Sequence, residues 1–424
     1  MKYKMQDKQN QLIERISDQH LVVGVDIAQQ FHVARAVNYR GIVIGDPLTF
    51  ENDEIGFDKF QVWMNELKDL KDYRTEIVGM EPTGHYWLNL SKWLYDQRID
   101  VVTVNPHHVK KNKENRDNTQ SKSDKKDALV IADMVKNGYY SFIHPTSEAF
   151  EKLRVLMSNR DFIVKRLVSS INQINRWVDI IFPELRQVFK DVKGKGAIAT
   201  LRLFPTPVEL RSMEAQDIVK GWKTLMIRQP GFKKAQTLIQ LAKSSVGNTQ
   251  ALDAYKLHLE QLLEEFDLAT TQLEKVEEET TDVLGKITFT NKILGIKGIT
   301  EITLGGILGE AGDLSKFAHG NSLLRHAGMN LAEASSGKWK GQIVISKRGR
   351  SRLRRYLFLA TMSLVANNPE FKALHAHNVK VKKMKKMKSI MKLIGKLARI
   401  LVGIARNNEP YCPEKVQPLT LLAA

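Results

Sequence analysis

The sequence predicts an α/β domain built on a mixed sheet, then an α-helical region with coiled-coil character, then a mostly α-helical C-terminal domain. Three observations predict it. Residues 18–147 alternate strand-like apolar runs with helix-like ones. Residues 148–286 carry apolar residues three and four apart. Residues 287–424 keep helical spacing around glycine-containing turns and include a lysine-rich stretch. A chain of 424 residues with 42% hydrophobic content has material for two or three domains.

In the first domain, Leu21–Ala28 reads as a buried strand carrying one acid, Asp26, near its end. Phe31–Val37 alternates and reads as the next strand, Asn38–Gly41 as a turn, and Ile42–Phe50 as a third strand. Phe57, Phe60, Trp63, Met64 and Leu67 mark a helix. Thr75–Met80 is a fourth strand that stops at Glu81-Pro82. A helix across Trp87, Leu90, Trp93 and Leu94 leads to a fifth strand, Ile99–Val104. The opening meander predicts antiparallel pairing, and the β–α alternation after it predicts parallel pairing, hence a mixed sheet.

The last helix of this domain opens with Ser121-Lys-Ser-Asp124-Lys-Lys-Asp127-Ala128. Residues three apart share a helix face, so Asp124 and Asp127 can point at one spot. Bare, they repel. A divalent cation between them removes that cost, and hard oxygen ligands suit Mg²⁺ or Mn²⁺. Taken alone, an Asp-x-x-Asp pair is more often a solvated helix face. Asp26 is the more informative acid, because a carboxylate within an apolar strand is costly unless paired, hydrogen-bonded or metal-bound. If the first and fourth strands are neighbours, Asp26, Glu81, Asp124 and Asp127 can converge at one sheet edge.

Lys and Arg number 65 against 47 Asp and Glu, a net charge of +18. That excess suits a polyanion, nucleic acid ahead of an acidic membrane surface. The connector before the Asp-bearing helix concentrates it: Lys110, Lys111, Lys113, Arg116, Lys122, Lys125 and Lys126 lie beside the acids and read as phosphate contacts. The single cysteine, Cys412, excludes a disulfide or cysteine-based zinc site within one chain and fits a reducing cytoplasm. The polar N-terminus shows no signal peptide. The longest apolar stretch, Ile394–Ala405, is interrupted by Lys396 and Arg399 and is too short to span a bilayer.

In the middle region, Leu252, Tyr255, Leu259, Leu262, Leu263, Phe266, Leu273 and Val276 alternate with Glu and Lys. This reads as a helical hairpin or coiled-coil arm, a route to oligomerisation, with a plain bundle core as the alternative. Farther on, Ile293-Leu-Gly295-Ile-Lys-Gly298-Ile-Thr-Glu-Ile-Thr-Leu304 has the form of a helix-hairpin-helix. Its Gly295 and Gly298 permit a tight turn close to a phosphate. Then come Ala334-Ser335-Ser336-Gly337-Lys338-Trp-Lys340 and Ser346-Lys347-Arg348-Gly349-Arg350. A serine flanked by cations can serve as a nucleophile, with the cations stabilising charge on an attacked phosphate. Spacing alone describes a polar loop equally well. The lysine-rich stretch Lys380–Lys396 reads as a basic amphipathic helix for nucleic-acid backbone.

Gly24-Val-Asp26-Ile-Ala, Gly79-Met-Glu81-Pro-Thr-Gly84-His-Tyr86 and Lys122-Ser-Asp124-Lys-Lys-Asp127-Ala, in this order, resemble the RuvC-like, RNase H-fold domain of the DEDD transposases of bacterial insertion sequences. The Ser335 segment is similar to the C-terminal transposase domain of the same family, with Lys338 where the family's second glycine stands. Lys347-Arg-Gly matches its downstream basic element. The resemblance implies an RNase H-like (RuvC-like) first domain with Asp26, Glu81, Asp124 and Asp127 holding Mg²⁺ or Mn²⁺. It implies Ser335 as nucleophile and a homo-oligomer, dimer or tetramer, in which the two domains cooperate. It also implies donor and target DNA as substrates, a structured guide (bridge) RNA as partner, no membrane, and a place in the bacterial cytoplasm on the nucleoid. Two other readings compete on the residues themselves. One is a metal-dependent RuvC/RNase H-like nuclease of the junction-resolvase kind, without serine chemistry. The other is a non-catalytic nucleic-acid-binding protein.

Overall fold

The computed structural model describes residues 2–113, 123–143, 147–228, 230–332, 335–336, 339–341 and 344–416. The chain forms two compact units, Met1–Pro145 and Thr146–Ala424.

The first unit begins with α1 (Lys2–Glu14), then β1 (His20–Asp26), β2 (Phe31–Val37), β3 (Val43–Glu51), α2 (Glu54–Lys71), β4 (Thr75–Met80), α3 (Trp87–Asp96), β5 (Asp100–Val104), α4 (Pro106–Asn112), α5 (Asp124–Lys136) and β6 (Tyr140–Phe142). The sheet order is β3-β2-β1-β4-β5-β6. β1 runs antiparallel to β2 and parallel to β4, so the mixed sheet read from the sequence is present and its first and fourth strands are neighbours. Besides α1 in the polar N-terminus, two elements were not legible in the pattern. One is α4, inside the basic connector, started by Asn105 accepting the His107 N–H at 3.0 Å and by Pro106 at its first position. The other is the three-residue edge strand β6, antiparallel to β5.

Strand alternation divides the core in two. Leu21, Val23, Val25, Val78 and Met80 pack with Phe57, Phe60 and Met64 of α2 and Leu90 and Leu94 of α3. Val22, Ile77 and Val102, on the other face, pack with Val130, Ile131, Met134 and Val135 of α5. The helices on both faces explain why the central strands are apolar throughout rather than alternating.

The second unit contains α6 (Glu148–Ile181), α7 (Leu185–Val188), α8 (Lys195–Leu203), α9 (Pro207–Leu210), α10 (Ala215–Leu225), α11 (Phe232–Lys243), α12 (Leu252–Gly285), α13 (Thr290–Leu294), α14 (Glu301–Ala311) and α15 (Gly320–His326). It continues with short strands β7 (Leu331–Ala332), β8 (Ser335–Ser336), β9 (Trp339–Lys340) and β10 (Val344–Ile345), and ends with α16 (Ser351–Asn367), α17 (Pro369–Lys380) and α18 (Lys386–Asn407). Helices α6 and α12 have 34 residues each, about 50 Å at 1.5 Å per residue. They run antiparallel. Arg160 pairs with Glu277 at 2.7 Å, Arg166 with Glu265 at 2.7 Å, and the Trp177 indole N–H reaches the Tyr255 carbonyl at 2.7 Å, so contacts climb one helix as they descend the other.

Each end of this pair meets a separate core. At one end Trp177, Val178, Ile181, Leu259 and Leu263 join Phe182, Leu201, Trp222 and Leu238, closing a small helical tip over α7–α11. At the other end Leu153, Met157, Val283 and Leu284 join α13–α18. The lysine-rich stretch breaks between α17 and α18. Ile390, Leu393, Ile394, Leu397 and Leu401 of α18 are buried in that core, which accounts for the helix's amphipathic pattern. Among the described residues no helix is long and apolar enough to cross a membrane.

Candidate active site

Gly24 and Gly79 stand opposite each other in the β1–β4 register. Both lie on the face covered by α5. A Cβ on Gly24 would fall 2.1 Å from the Ala128 carbonyl oxygen and 2.4 Å from the Ala132 nitrogen. One on Gly79 would fall 2.3 Å from Val135 Cγ2. The two glycines therefore let α5 lie directly on the strands. By the same period of two, Asp26 follows Gly24 on that face at the end of β1, and Glu81 follows Gly79 just past the end of β4. α5 brings its first turn, with Asp124 and Asp127, to the same end. Carboxylates there meet the positive end of the helix dipole, which eases their mutual repulsion.

The electrostatics record the convergence. Asp26 is pushed up to about 6, first by burial and then by the charges of Asp127, Asp124 and Glu81, with Lys113 opposing. Asp127 is buried, 6% exposed; its Oδ2 accepts from Lys113 Nζ at 2.5 Å while its buried Oδ1 has no partner. Glu81 Oε1 accepts from the Thr83 hydroxyl at 2.5 Å. Among the described residues no three such side chains close on one point tightly enough to form a finished metal nest. The donors nevertheless fit a hard divalent cation: acceptor-only oxygens, one of them buried and orphaned, in a group whose mutual repulsion a cation relieves.

The connector cations divide. Lys110 and Lys111 end α4 in an exposed position, Lys125 is exposed, and Lys126 is half-buried in the first turn of α5. Lys113 is spent on Asp127. Arg116, Lys122 and Lys338 lie outside the described residues. His32, which the sequence reading passed over, is fully buried and stacked on Phe57; its Nδ1 accepts the Ala28 N–H at 3.3 Å, and burial lowers its pKa. It thus holds the backbone just after Asp26. Its signal was a histidine flanked by Phe31 and Val33 in a mostly apolar strand.

In the second unit, Ser335 and Ser336 form β8, paired antiparallel with Trp339 and Lys340 of β9. The hairpin leaves a narrow neck. Ser346 N–H donates to the Asn330 carbonyl at 2.8 Å, Lys347 N–H to Gly328 at 2.9 Å, and Arg350 N–H to His326 at 2.9 Å. Lys347 is left-handed, with φ 54°, and Arg348 is exposed. Below the neck, buried Glu310 lies 3.3 Å from Arg352 and 3.7 Å from Arg350, while Asp161 pairs with Arg352 at 3.0 Å and with Arg355. Neither acid was singled out from sequence, because each sits on a helix far along the chain from the arginines it holds. Gly295 is helical, whereas Gly298 has φ 103° and presses on α16, where a Cβ would lie 3.1 Å from the Ser363 carbonyl oxygen. That turn separates α13 from α14.

Comparison with known proteins agrees with both units. A DEDD-type transposase family model, described as Transposase, matches residues 23–183, and a model described as Transposase IS116/IS110/IS902 family matches residues 290–376. The chain is also 25% identical over 252 residues to the insertion element IS116 uncharacterized 44.8 kDa protein of Streptomyces clavuligerus, covering 58% of this chain and 61% of that protein. With both modules present in order, one on the four acids and one on the serine hairpin, the chain belongs to the IS110-type family of DEDD transposases.

Proposed function

We propose that the protein cuts and rejoins DNA strands at the ends and target of its insertion sequence, with Ser335 as nucleophile and Asp26, Glu81, Asp124 and Asp127 as ligands of Mg²⁺ or Mn²⁺. The observation that supports the reading is the placement of Asp26, Glu81, Asp124 and Asp127 around the C-terminal ends of β1 and β4, where burial first and then the charges of the other three acids raise the Asp26 pKa. Each of the four acids supplies oxygen ligands, and Thr83 steadies Glu81. When bound, the cation supplies positive charge to a phosphate in reaction. Lys110, Lys111 and Lys125 hold the substrate backbone beside the acids, joined by Lys126, Arg116 and Lys122. Ser335 attacks phosphorus, its proton leaves, and the strand stays on the serine oxygen as the DNA 3′ or 5′ oxygen departs. Attack by the new strand's hydroxyl reverses the step and restores the serine. Gly295, Gly298, Lys338, Lys340, Lys347 and Arg348 contact backbone around the serine. Choice of sequence comes from a structured guide (bridge) RNA paired with donor and target DNA, the protein being an oligomer. The family membership and the basic charge support these partners.

The test is incubation of the purified protein with element DNA, flanking RNA and Mg²⁺, followed by denaturation and a search for DNA bound covalently to protein. The expected result is an adduct that Ser335→Ala abolishes and Ser336→Ala preserves, absent without RNA or metal. Cleavage without an adduct, equal in both variants, would replace this reading with a metal-only nuclease.

A further inference from the structure

The helical tip on the α6–α12 pair lies between the two matched modules. Its charge is segregated from that of the arm beneath it. Residues 182–251 hold 12 Lys and Arg against 5 Asp and Glu, and the 35 residues 218–252 hold six cations and no acid. Helix α12 holds 10 Asp and Glu against 2 Lys. A surface evolved for solubility alone intersperses the signs.

The tip's cations gather at one edge. Gly196, at the start of α8, abuts Pro230 and Phe189, so closely that a Cβ there would lie 2.9 Å from Pro230 Cγ and 3.0 Å from Phe189 Cε1. Lys234 Nζ sits 5.4 Å over the Phe189 ring. This contact brings Lys190 and Lys195 from one segment beside Lys233 and Lys234 from another some forty positions away. All four are exposed, and among the described residues none is paired with a carboxylate; the one acid in the first segment, Asp191, lies 4.0 Å from Lys193. Phe232, next to Lys233 in the chain, is 48% exposed, and fully exposed Ile227 lies five positions before it. Cations interleaved with an exposed aromatic ring suit unpaired nucleotides, whose bases can stack while their phosphates meet lysines; a duplex hides its base faces.

We propose that this edge of the tip binds a single-stranded nucleic-acid segment, with phosphates on Lys190, Lys195, Lys233 and Lys234 and an unpaired base on Phe232. The acidic α12 repels the same strand and confines it to the tip. Binding here is independent of strand cleavage, so it stands or falls apart from the serine reaction.

The experiment uses the full-length protein and a single-stranded oligonucleotide carrying 5-iodouracil, with a duplex of equal length as comparison. After irradiation and digestion, crosslinked peptides are mapped by mass spectrometry, and affinity is followed by anisotropy against salt. The expected result is a crosslink on the peptide containing Phe232, lost in Phe232→Ala, with single-strand affinity about tenfold weaker and duplex affinity unchanged. Lys233→Glu with Lys234→Glu should lower the salt slope by about 1.4 for the single strand, roughly 0.7 per lost phosphate contact. Lys190→Glu with Lys195→Glu is the second variant and should behave alike. Crosslinks confined to residues 286–424, with unchanged affinity in all three variants, would overturn the proposal. So would a reversal variant that keeps the crosslink but loses self-association, which would assign the edge to a second copy's acidic helix.

Discussion

Gly24 and Gly79 face each other across the parallel β1–β4 pair, and each removes the one carbon that would hold α5 away from the sheet. The approach of Asp124 and Asp127 to the strand-end acids Asp26 and Glu81 follows from this contact, since both ride on the helix end that the glycines admit.

Gly24→Ala should therefore destabilise the first unit by about 3 kcal/mol, because the new methyl meets helix backbone that cannot swing aside. Gly79→Ala meets a valine side chain instead and should cost about 1 kcal/mol. Thermal unfolding checks the order, and Gly24→Ala should also lose DNA cleavage at temperatures where it remains folded.

Asp26→Asn should separate stability from metal binding. A carboxyl raised to about 6 by burial and like charge contributes stability when protonated, and that contribution disappears as pH climbs through 6. In EDTA the variant should thus melt above the wild type at pH 8 and level with it near pH 4. It should also lose most of the Mg²⁺-induced rise in melting temperature. A lower midpoint at pH 8 in EDTA would contradict this.

Lys113 occupies Asp127 as a cation would. Lys113→Met leaves a buried carboxylate without its counter-charge and should cost about 2 kcal/mol in EDTA. Saturating Mg²⁺ should restore most of that loss, giving a larger metal-dependent gain than in the wild type. Calorimetry with and without metal reads the difference; equal gains would place the cation elsewhere.

The neck of the serine hairpin depends on Gly328, whose φ is 68° and whose Cβ would lie 2.8 Å from the Arg348 carbonyl carbon. Gly328→Ala should cost about 2 kcal/mol in backbone strain. It should suppress adduct formation by far more than the lost folded fraction explains, which a comparison of adduct yield with circular dichroism would show.

Much of this architecture was legible because its signals are local. An acid inside an apolar strand, two acids three apart and a β–α alternation all lie within short windows, and the mixed sheet followed from the last of these. What was not legible depends on contacts between distant segments. A glycine code letter does not show that Gly24 touches Ala128. The run of connector lysines does not show that Lys113 turns inward to Asp127. Nothing local marks the carboxylates of Glu310 and Asp161 until the arginines at and in α16 come to lie against them. The lysine-rich stretch was legible as amphipathic, but only the core shows what its apolar face covers.

The antiparallel course of α6 and α12 has a further consequence. Trp177 and Tyr255 touch, so the chain leaves for the tip and returns from it at neighbouring points. Everything between them is an excursion with a single doorway. Such a segment can be shortened to a turn, or exchanged for another, without rethreading either flanking module. The tip is the part of this chain that evolution, or an engineer, can swap like a tool on a handle.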